Sequence, residues 1–391
     1  MMRHRDDRVL IVGAGPSGLA SAIALRRVGI RAEVFEQSAR HLAFGGGFTI
    51  RSNTVKLLLR LGVGQRLLGK GVEYRSFAYY SASGRRLNTL PEGEVADAWG
   101  TPSIGALRAD LYAALMAEID QDVVHLGARF VGAEQDEDGV TARFADGREE
   151  RGRLLLGCDG MHSVVRELVL EGAEPIYAGF VTWRNSVIQE PVIVPRGEVR
   201  LYLGVGKAIV MFPCSERQLS MDCFVRGPAG GSDPPGQVKE TLLETFAGFS
   251  DTVKRALGAT EESSFSRGDM YERDPGPTWF KGRIVLLGDS IHPTTPFVGQ
   301  GAGAAMEDGI ALAKELALTR DLGHAEDVRA ALTAYEWRRR DRAAWIVGSA
   351  GRRAKMVGLT NPVAALGRDF VLSKLPARVL RKEMERAVFY E

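Results

Sequence analysis

Residues 13–18 read Gly13-Ala14-Gly15-Pro16-Ser17-Gly18, set between an apolar run and a helix-like pattern. The run before them, Val9-Leu10-Ile11-Val12, is short and uninterrupted, as a buried strand requires. After them Leu19, Ala22, Ile23 and Leu25 recur at roughly helical spacing, and Gly29 can end the helix. A second apolar strand, Ala32-Glu33-Val34-Phe35, then ends in Glu36. Strand, glycine turn, helix and strand in this order predict a βαβ unit built to hold a dinucleotide. Gly13 allows the tight turn, Gly15 lets the backbone approach a pyrophosphate, and Gly18 lets helix and strand pack closely. The helix start, with Ser17 in its first turn, offers unpaired amides and partial positive charge to phosphates. Glu36, with Gln37 beside it, is placed to accept hydrogen bonds from a ribose. An acid there favours a free 2′-hydroxyl, hence FAD or NAD over NADP.

Two later runs end in similar corners. Leu154-Leu155-Leu156-Gly157-Cys158 delivers Asp159-Gly160, followed by Ser163 and Arg166. Arg283-Ile284-Val285-Leu286-Leu287 delivers Gly288-Asp289. Open α/β sheets bind ligands outside the carboxyl ends of their parallel strands. Either aspartate can serve ligand hydroxyls there, or cap a helix, and position alone leaves both readings open. Beyond Asp289 the chain reads Ser290-Ile291-His292-Pro293-Thr294-Thr295-Pro296-Phe297-Val298-Gly299-Gln300-Gly301-Ala302-Gly303, and a long apolar-periodic helix follows. A glycine-rich turn opening a helix makes a second anion-stabilising N-terminus. A nicotinamide site alone has no need of it. A reduced flavin does, because its pyrimidine ring carries negative charge.

The bulk properties mainly exclude. At 391 residues the chain suits one large or two intimate domains. A formal charge of +2 argues against nucleic acid or an anionic membrane as partner. Arg338, Arg339, Arg340 and Arg342 cluster, but acids surround them, and a solvated helix face is expected. Cys158, Cys214 and Cys223 match no metal-site spacing and read as free thiols in a reducing cytoplasm. The histidines are scattered, so no metal site is expected. The charged Met1–Arg8 stretch and the apolar Val9–Leu25 run superficially resemble a signal peptide. Glycine and proline interrupt that run, however, and Arg26-Arg27 stands in place of a cleavage site. No stretch reaches the roughly 18 uninterrupted apolar residues of a membrane span. A cytoplasmic monomer or homodimer is expected.

The chain resembles the single-component FAD-dependent aromatic hydroxylases of the para-hydroxybenzoate hydroxylase and salicylate hydroxylase type. The carriers are Gly13–Gly18, the segment GCDGMHSVVR around Asp159 and the segment GDSIHPTTPFVGQGAG around Asp289, in the family's order. The resemblance implies an α/β fold: a Rossmann-like FAD-binding domain, an inserted antiparallel-sheet substrate domain and a C-terminal helical segment. It assigns Gly13, Gly15, Gly18 and Glu36 to the ADP half of FAD. Arg108 matches the family's Arg-x-x-Leu arginine, which contacts the cofactor. Asp159 lies in a segment linked to FAD and nicotinamide, and Asp289 would bind the ribityl chain. Pro296 and the amides around Gly299, Gly301, Ala302 and Gly303 would sit beside the isoalloxazine ring. Gly45-Gly46-Gly47 looks like the family's loop near the flavin. Arg51 beyond it either faces flavin or substrate or is solvated. His292 is common at its place in the family and reads as a structural hydrogen-bonding residue.

The expected domains are discontinuous. Residues 1–72, 101–171 and 277–337 would bind FAD, 73–100 and 172–276 would form the sheet over it, and 338–391 the C-terminal segment. Glu73–Leu90 reads as two strands around Ser83-Gly84. Further strands include Glu198–Leu203 and Ala208–Phe212, Gly227–Gly236 is a loop, and Gln237–Leu257 reads as a helix. Candidates for an apolar substrate pocket are Met211, Phe212, Phe224, Phe297 and Val298, with ordinary core packing the alternative. Trp183-Arg184 resembles a pair found in relatives acting on heteroaromatic or isoprenoid substrates. Arg184 either binds a substrate anion or closes a structural ion pair.

The sequence has no GxSxG elbow, P-loop lysine or metal cluster, so a cofactor must carry the chemistry. The resemblance implies a monooxygenase in which NADH or NADPH binds transiently and reduces FAD. Molecular oxygen then adds at flavin C(4a), and the hydroperoxide hydroxylates or epoxidises a small aromatic, heteroaromatic or natural-product substrate. No side-chain acid or base is named by the sequence. A reductase or dehydrogenase of the geranylgeranyl-reductase kind and a non-catalytic flavin-binding scaffold are the alternatives.

Overall fold

A computed structural model describes residues 8–40, 46–170, 172 and 174–389; Gly45 and Met1–Asp7 lie outside the described residues. The apolar run at the start of the chain becomes the strand Arg8–Val12 and the helix Pro16–Arg27, both largely buried. Arg8–Val12 sits inside a six-stranded sheet ordered Phe280–Lys281, Ile284–Leu286, Leu154–Gly157, Arg8–Val12, Arg31–Glu36, Val124–Leu126. Every neighbour pair is parallel except the short Phe280–Lys281 hairpin. From Arg8–Val12 the chain builds outward to Val124–Leu126, then returns to the opposite side with Leu154–Gly157. The order therefore reverses between Arg8–Val12 and Leu154–Gly157. That switch point leaves a crevice at the strands' carboxyl ends, where Gly13–Gly18 and Cys158-Asp159 meet.

The glycine turn fits the crevice as its spacing predicts. Gly13 has a φ of +102°, and a Cβ on it would lie 2.4 Å from the Cys158 carbonyl oxygen. A Cβ on Gly18 would lie 2.0 Å from the Gly13 carbonyl oxygen. Gly15 differs, because a Cβ there would meet nothing within 4 Å.

A seven-stranded sheet packs over this unit, ordered Ser266–Glu272, Ile176–Ile188, Gln218–Arg226, Lys207–Pro213, Glu198–Leu203, Ser76–Ser81, Arg86–Leu90. Its neighbours are antiparallel except Ser76–Ser81 beside Glu198–Leu203, which are parallel. Those two strands are joined through the other sheet, and a long crossover permits parallel pairing. The Glu73–Leu90 stretch is not wholly in this sheet. Val72–Tyr74 pairs with Ser103–Leu107 in a separate three-stranded sheet, and the chain changes sheets at Arg75.

Two helical expectations need correction. Gln237–Leu257 is two helices, Val238–Thr245 and Asp251–Ala259, because the intervening turn buries Phe246 and Phe249 in one apolar cluster. The boundary expected at residue 338 falls inside one continuous helix, Ala325–Val357, followed by Pro362–Lys374 and Ala377–Val388. Ala325–Val357 packs along Gly301–Leu316, which packs along Pro16–Arg27. Among the described residues no helix is long and apolar enough to cross a membrane.

Candidate active site

A cavity of about 430 Å³ lies between the two large sheets. Two helix N-termini open into it. Gly15, Pro16 and Ser17 begin one helix, and Gly301, Ala302 and Gly303 begin the other; all six line the cavity. In the second helix Ala304 is the first amide to reach an intrahelical acceptor, the Gln300 carbonyl at 2.8 Å. The preceding amides are the donors a helix start leaves over. Two partial positive ends thus face one space. Gly47, Pro296, Phe297, Val298 and Gly299 line the same cavity.

The structure separates the two strand-end aspartates that the sequence left equivalent. Asp159 accepts hydrogen bonds from the Ser163 hydroxyl at 2.5 Å and the Val165 amide at 3.1 Å. Its carboxylate is therefore spent on the start of the helix Val164–Val169, which Ser163 caps, and it does not line the cavity. Asp289 lines the cavity and has no hydrogen-bond or ion-pair partner among the described residues. Burial pushes its carboxyl above the usual range against the opposing charges of His292 and Arg108. Arg166 ties the two segments together through a hydrogen bond to the Ser290 carbonyl at 3.2 Å.

Glu36 is buried, and its carboxylate accepts the Ala14 and Ser38 amides, each at 2.8 Å. It fastens the glycine turn to the second strand, while each oxygen retains a lone pair. Gly13, Gly18, Glu36, Gln37 and Gly288 lie outside the cavity lining, Gln37 on an exposed turn. Gly288 instead donates its amide to Asp308 at 2.8 Å.

Four arginines face the cavity: Arg51, Arg108, Arg184 and, from the Ala325–Val357 helix, Arg353. Arg51 is not solvated: it is buried and pairs with Glu92, beside Tyr74, whose phenol burial pushes up to about 12. Arg108 stacks over the Phe48 ring at 4.1 Å. Arg184 closes no ion pair among the described residues, so the structural-pair reading fails; Trp183 beside it donates instead to Asp233 at 2.7 Å. Phe212 and Phe224 line the cavity, but Met211 does not. Successive strand residues face opposite ways, and Met211 packs with Ile209, Met221 and Cys223 on the far side.

The arginine cluster is also only partly solvated. Arg339 and Arg342 are buried, while Arg338 and Arg340 are half-exposed. Arg339 pairs with Asp308 at 2.7 Å and Glu307 at 2.9 Å, and Asp308 meets His292 at 2.6 Å. His292 thus has the structural role expected of it. Asn53 donates to Glu307 at 2.7 Å. This network lies beneath the cavity and holds the Gly301–Leu316 helix against the Gly288–Ser290 turn.

A family model described as FAD binding domain matches residues 6–350. The chain belongs to that family. It is 34% identical to a FAD-dependent urate hydroxylase of Mycolicibacterium vanbaalenii, over 91% of this chain and 90% of that protein. It is also 34% identical to an aurachin C monooxygenase/isomerase of Stigmatella aurantiaca, over 86% of this chain and 85% of that protein. Among solved structures, Klebsiella pneumoniae HpxO complexed with FAD and uric acid superposes with a TM-score of 0.91 at 28% identity, covering 99% of this chain and 98% of that one. The chain is an FAD-dependent monooxygenase.

Several residues facing this monooxygenase's cavity were not singled out by sequence. Val210, Leu201, Tyr79 and Leu90 come from the seven-stranded sheet, and Arg353 comes from the Ala325–Val357 helix. The most consequential is Asp222. Burial pushes its carboxyl up to about 6, against the opposing charges of Arg184 and Arg108. An acid inside the apolar Leu219–Val225 run was the one available signal.

Proposed function

We propose that this monooxygenase oxygenates a small heteroaromatic or fused aromatic molecule, with NADH or NADPH as the transient electron donor. The observation that carries the reading is the convergence of two helix N-termini on one cavity whose opposite wall is an aromatic-rich sheet. The residues present suit FAD. Gly15 leaves open space at a helix start, Arg108 and Asp289 face inward without ion-pair partners, and the Gly301–Gly303 amides are unspent.

In this reading Gly13 and Gly18 shape the turn, and Gly15 and Ser17 meet the pyrophosphate. Glu36 and Gln37 take the adenosine ribose, and Asp289 the ribityl hydroxyls. Asp159 and Gly288 act indirectly, by fixing the backbone on either side of the crevice. Arg108 offsets the charge of the phosphates or of the reduced ring. The free amides of Gly301, Ala302 and Gly303 would stabilise negative charge on the reduced ring, with Gly47, Arg51, Pro296 and Gly299, whose own amide is spent on the Pro296 carbonyl, lining the same space. When bound, FAD supplies the redox chemistry, accepting hydride from nicotinamide and activating molecular oxygen for transfer. Phe212, Phe224, Phe297 and Val298 keep water from that oxygen and hold the substrate ring. Residues 1–72, 101–171 and 277–324 are our proposal for the FAD-binding domain, with the C-terminal helical part running from 325, where the continuous helix begins.

The names of the relatives support a heteroaromatic substrate: urate for one, aurachin C for another. The test is to load the protein with FAD and screen phenols, quinolones, pyridines and purines for stimulation of NADH or NADPH oxidation. Product mass is then measured under labelled oxygen. One labelled atom in a product is expected. Nicotinamide oxidation that yields only peroxide across the whole panel refutes the reading.

A further inference from the structure

The sheet wall of the cavity is a single register row. Tyr79 pairs with Leu201, Leu201 with Val210, Val210 with Asp222, and Asp222 with Arg184, across five adjacent strands. All five residues line the cavity. Residues directly opposite in neighbouring strands share a face of the sheet, so one continuous stripe meets the ligand. Three positions of the stripe are apolar or aromatic, and the last two are an anion and a cation. The charged pair is placed as cross-strand partners, with Cβ atoms about 5 Å apart. Their heads nevertheless do not close on each other. Neither side chain has a hydrogen bond or an ion pair within 4 Å among the described residues. Two opposite charges side by side, both unspent and both turned into one cavity, form a receptor for something that bridges them.

We propose that Asp222 and Arg184 read the polar edge of the substrate. That edge is an ionisable ring O–H or N–H next to an oxygen acceptor, as in an ortho-oxygenated phenol or an aromatic lactam. The inference rests on this cavity being the oxygenation site. An ionised carboxylate only accepts hydrogen bonds, and a guanidinium only donates them. The pair therefore requires a donor opposite Asp222 and an acceptor opposite Arg184, with the apolar remainder of the ring system lying along Val210, Leu201 and Tyr79.

The same arrangement makes Asp222 a proton acceptor in the reaction. The substrate O–H or N–H bond breaks, and its electron pair stays on the ring heteroatom. A new O–H bond forms on the Asp222 carboxylate, which passes its proton to water after product leaves. The ring becomes electron-rich, as attack by electrophilic oxygen demands, and Arg184 and Arg108 offset its charge. The charged groups around Asp222 are Arg184 from the partner strand, Arg108 from the start of the Arg108–Met116 helix, and Asp289, which shares both arginines. The neighbouring strand contributes the uncharged Val210. Cys223, next along the chain, faces the far side. With its carboxyl pushed up to about 6, Asp222 is ionised at neutral pH and close enough to the working range to exchange a proton.

The experiment uses oxidised, FAD-loaded protein without nicotinamide and follows the flavin absorption spectrum during titration. The probes are salicylate against 2-methoxybenzoate, and 2-quinolone against 1-methyl-2-quinolone. The donor-bearing member of at least one pair should bind about tenfold tighter than its methylated partner, the size of effect expected for a hydrogen bond to a charged group. Its affinity should fall as pH drops through about 6. Asp222→Asn should abolish both the preference and the pH dependence, and Asp222→Glu should restore them in part. Arg184→Met should weaken both members of a pair alike. Retained flavin colour shows that each variant has folded. A preference that survives Asp222→Asn, or no donor-bearing probe perturbing the spectrum of FAD-loaded wild type, overturns the assignment. Wild type that never retains FAD removes the oxygenation reading and this one together, and that failure is visible before any probe is added.

Discussion

Replacing Arg339 by Met should be among the most damaging single changes in the chain, although its neighbours in sequence look like a solvated arginine cluster. Arg339 is 1% exposed. Its guanidinium meets Asp308 at 2.7 Å, Glu307 at 2.9 Å and the Ala304 carbonyl at 3.2 Å. Both carboxylates lie within the first turns of the helix whose start faces the cavity. Burial alone would push them up, yet Arg339, with His292 for Asp308 and Arg342 for Glu307, holds both below the ordinary carboxylate range. Methionine conserves most of the volume, so little of the loss comes from a cavity. What remains is two buried acids short of their shared cation. Removing one partner of a buried pair costs about 3–5 kcal/mol, or two to four decades in the folding equilibrium. The assay is urea unfolding followed by circular dichroism, with Arg338→Met as control. Arg338 is half-exposed and pairs with Glu315, so its loss should cost at most about 1 kcal/mol. Adding Glu307→Gln to Arg339→Met should recover part of the loss, since one uncompensated charge goes. Equal midpoints for Arg339→Met and Arg338→Met would refute the reasoning.

Three further outcomes follow from the same geometry. Gly18→Ala should unfold the first βαβ unit, because its Cβ would sit 2.0 Å from the Gly13 carbonyl oxygen, whereas Gly15→Ala should fold with near-normal melting and lose FAD affinity. Melting temperature and flavin retention separate the two, and a Gly15→Ala variant with full flavin affinity would remove Gly15 from the site. Glu36→Ala should strip the buried Ala14 amide and the part-buried Ser38 amide of their acceptor and destabilise by about 1–3 kcal/mol, mostly through Ala14, measured by urea melts. For His292, burial opposes the charged ring, but the charge and hydrogen bond of Asp308 outweigh it, so its folded value lies above 6.5. Its stabilising contribution is then complete below pH 6.5 and is lost as pH rises through the folded value. Unfolding free energies of wild type and His292→Asn should therefore converge as pH rises above 6.5; a gap constant from pH 6 to 9 contradicts this.

The parts of the fold that depend on local chemistry were legible in the sequence. Gly13, Gly15 and Gly18 each answer a separate steric demand, and the apolar runs that carry Asp159 and Asp289 could hardly be anything but strands. What escaped depends on facts a linear pattern does not hold. Met211 and Phe212 are equally apolar, and only the strand's facing decides that Phe212 and Val210 meet the cavity while Met211 packs away from it. Asp159 and Asp289 end similar strands, and what separates them is whether a helix starts close enough to consume the carboxylate. Arg339 and Arg340 are adjacent in sequence, but their burial differs because the helix rotates about 100° per residue, which turns Arg339 toward Glu307 and Asp308 and Arg340 toward solvent. Asp222 depended most on tertiary structure. Its partner in the row, Arg184, lies on a strand thirty-odd residues earlier, and only the ladder between Ile176–Ile188 and Gln218–Arg226 sets them side by side.

Gln300, the residue immediately before the second helix start, donates its side-chain amide to the carbonyl of Ala387 at 3.2 Å, and Arg342 donates to the same oxygen at 2.7 Å. A nascent chain can own every glycine of both turns and still lack this clasp until residue 387 has been made. The second helix start is thus fully clasped only late in the life of the polypeptide, and deleting the final helix would remove an acceptor that Gln300 and Arg342 share, beside a pocket none of that helix's residues lines.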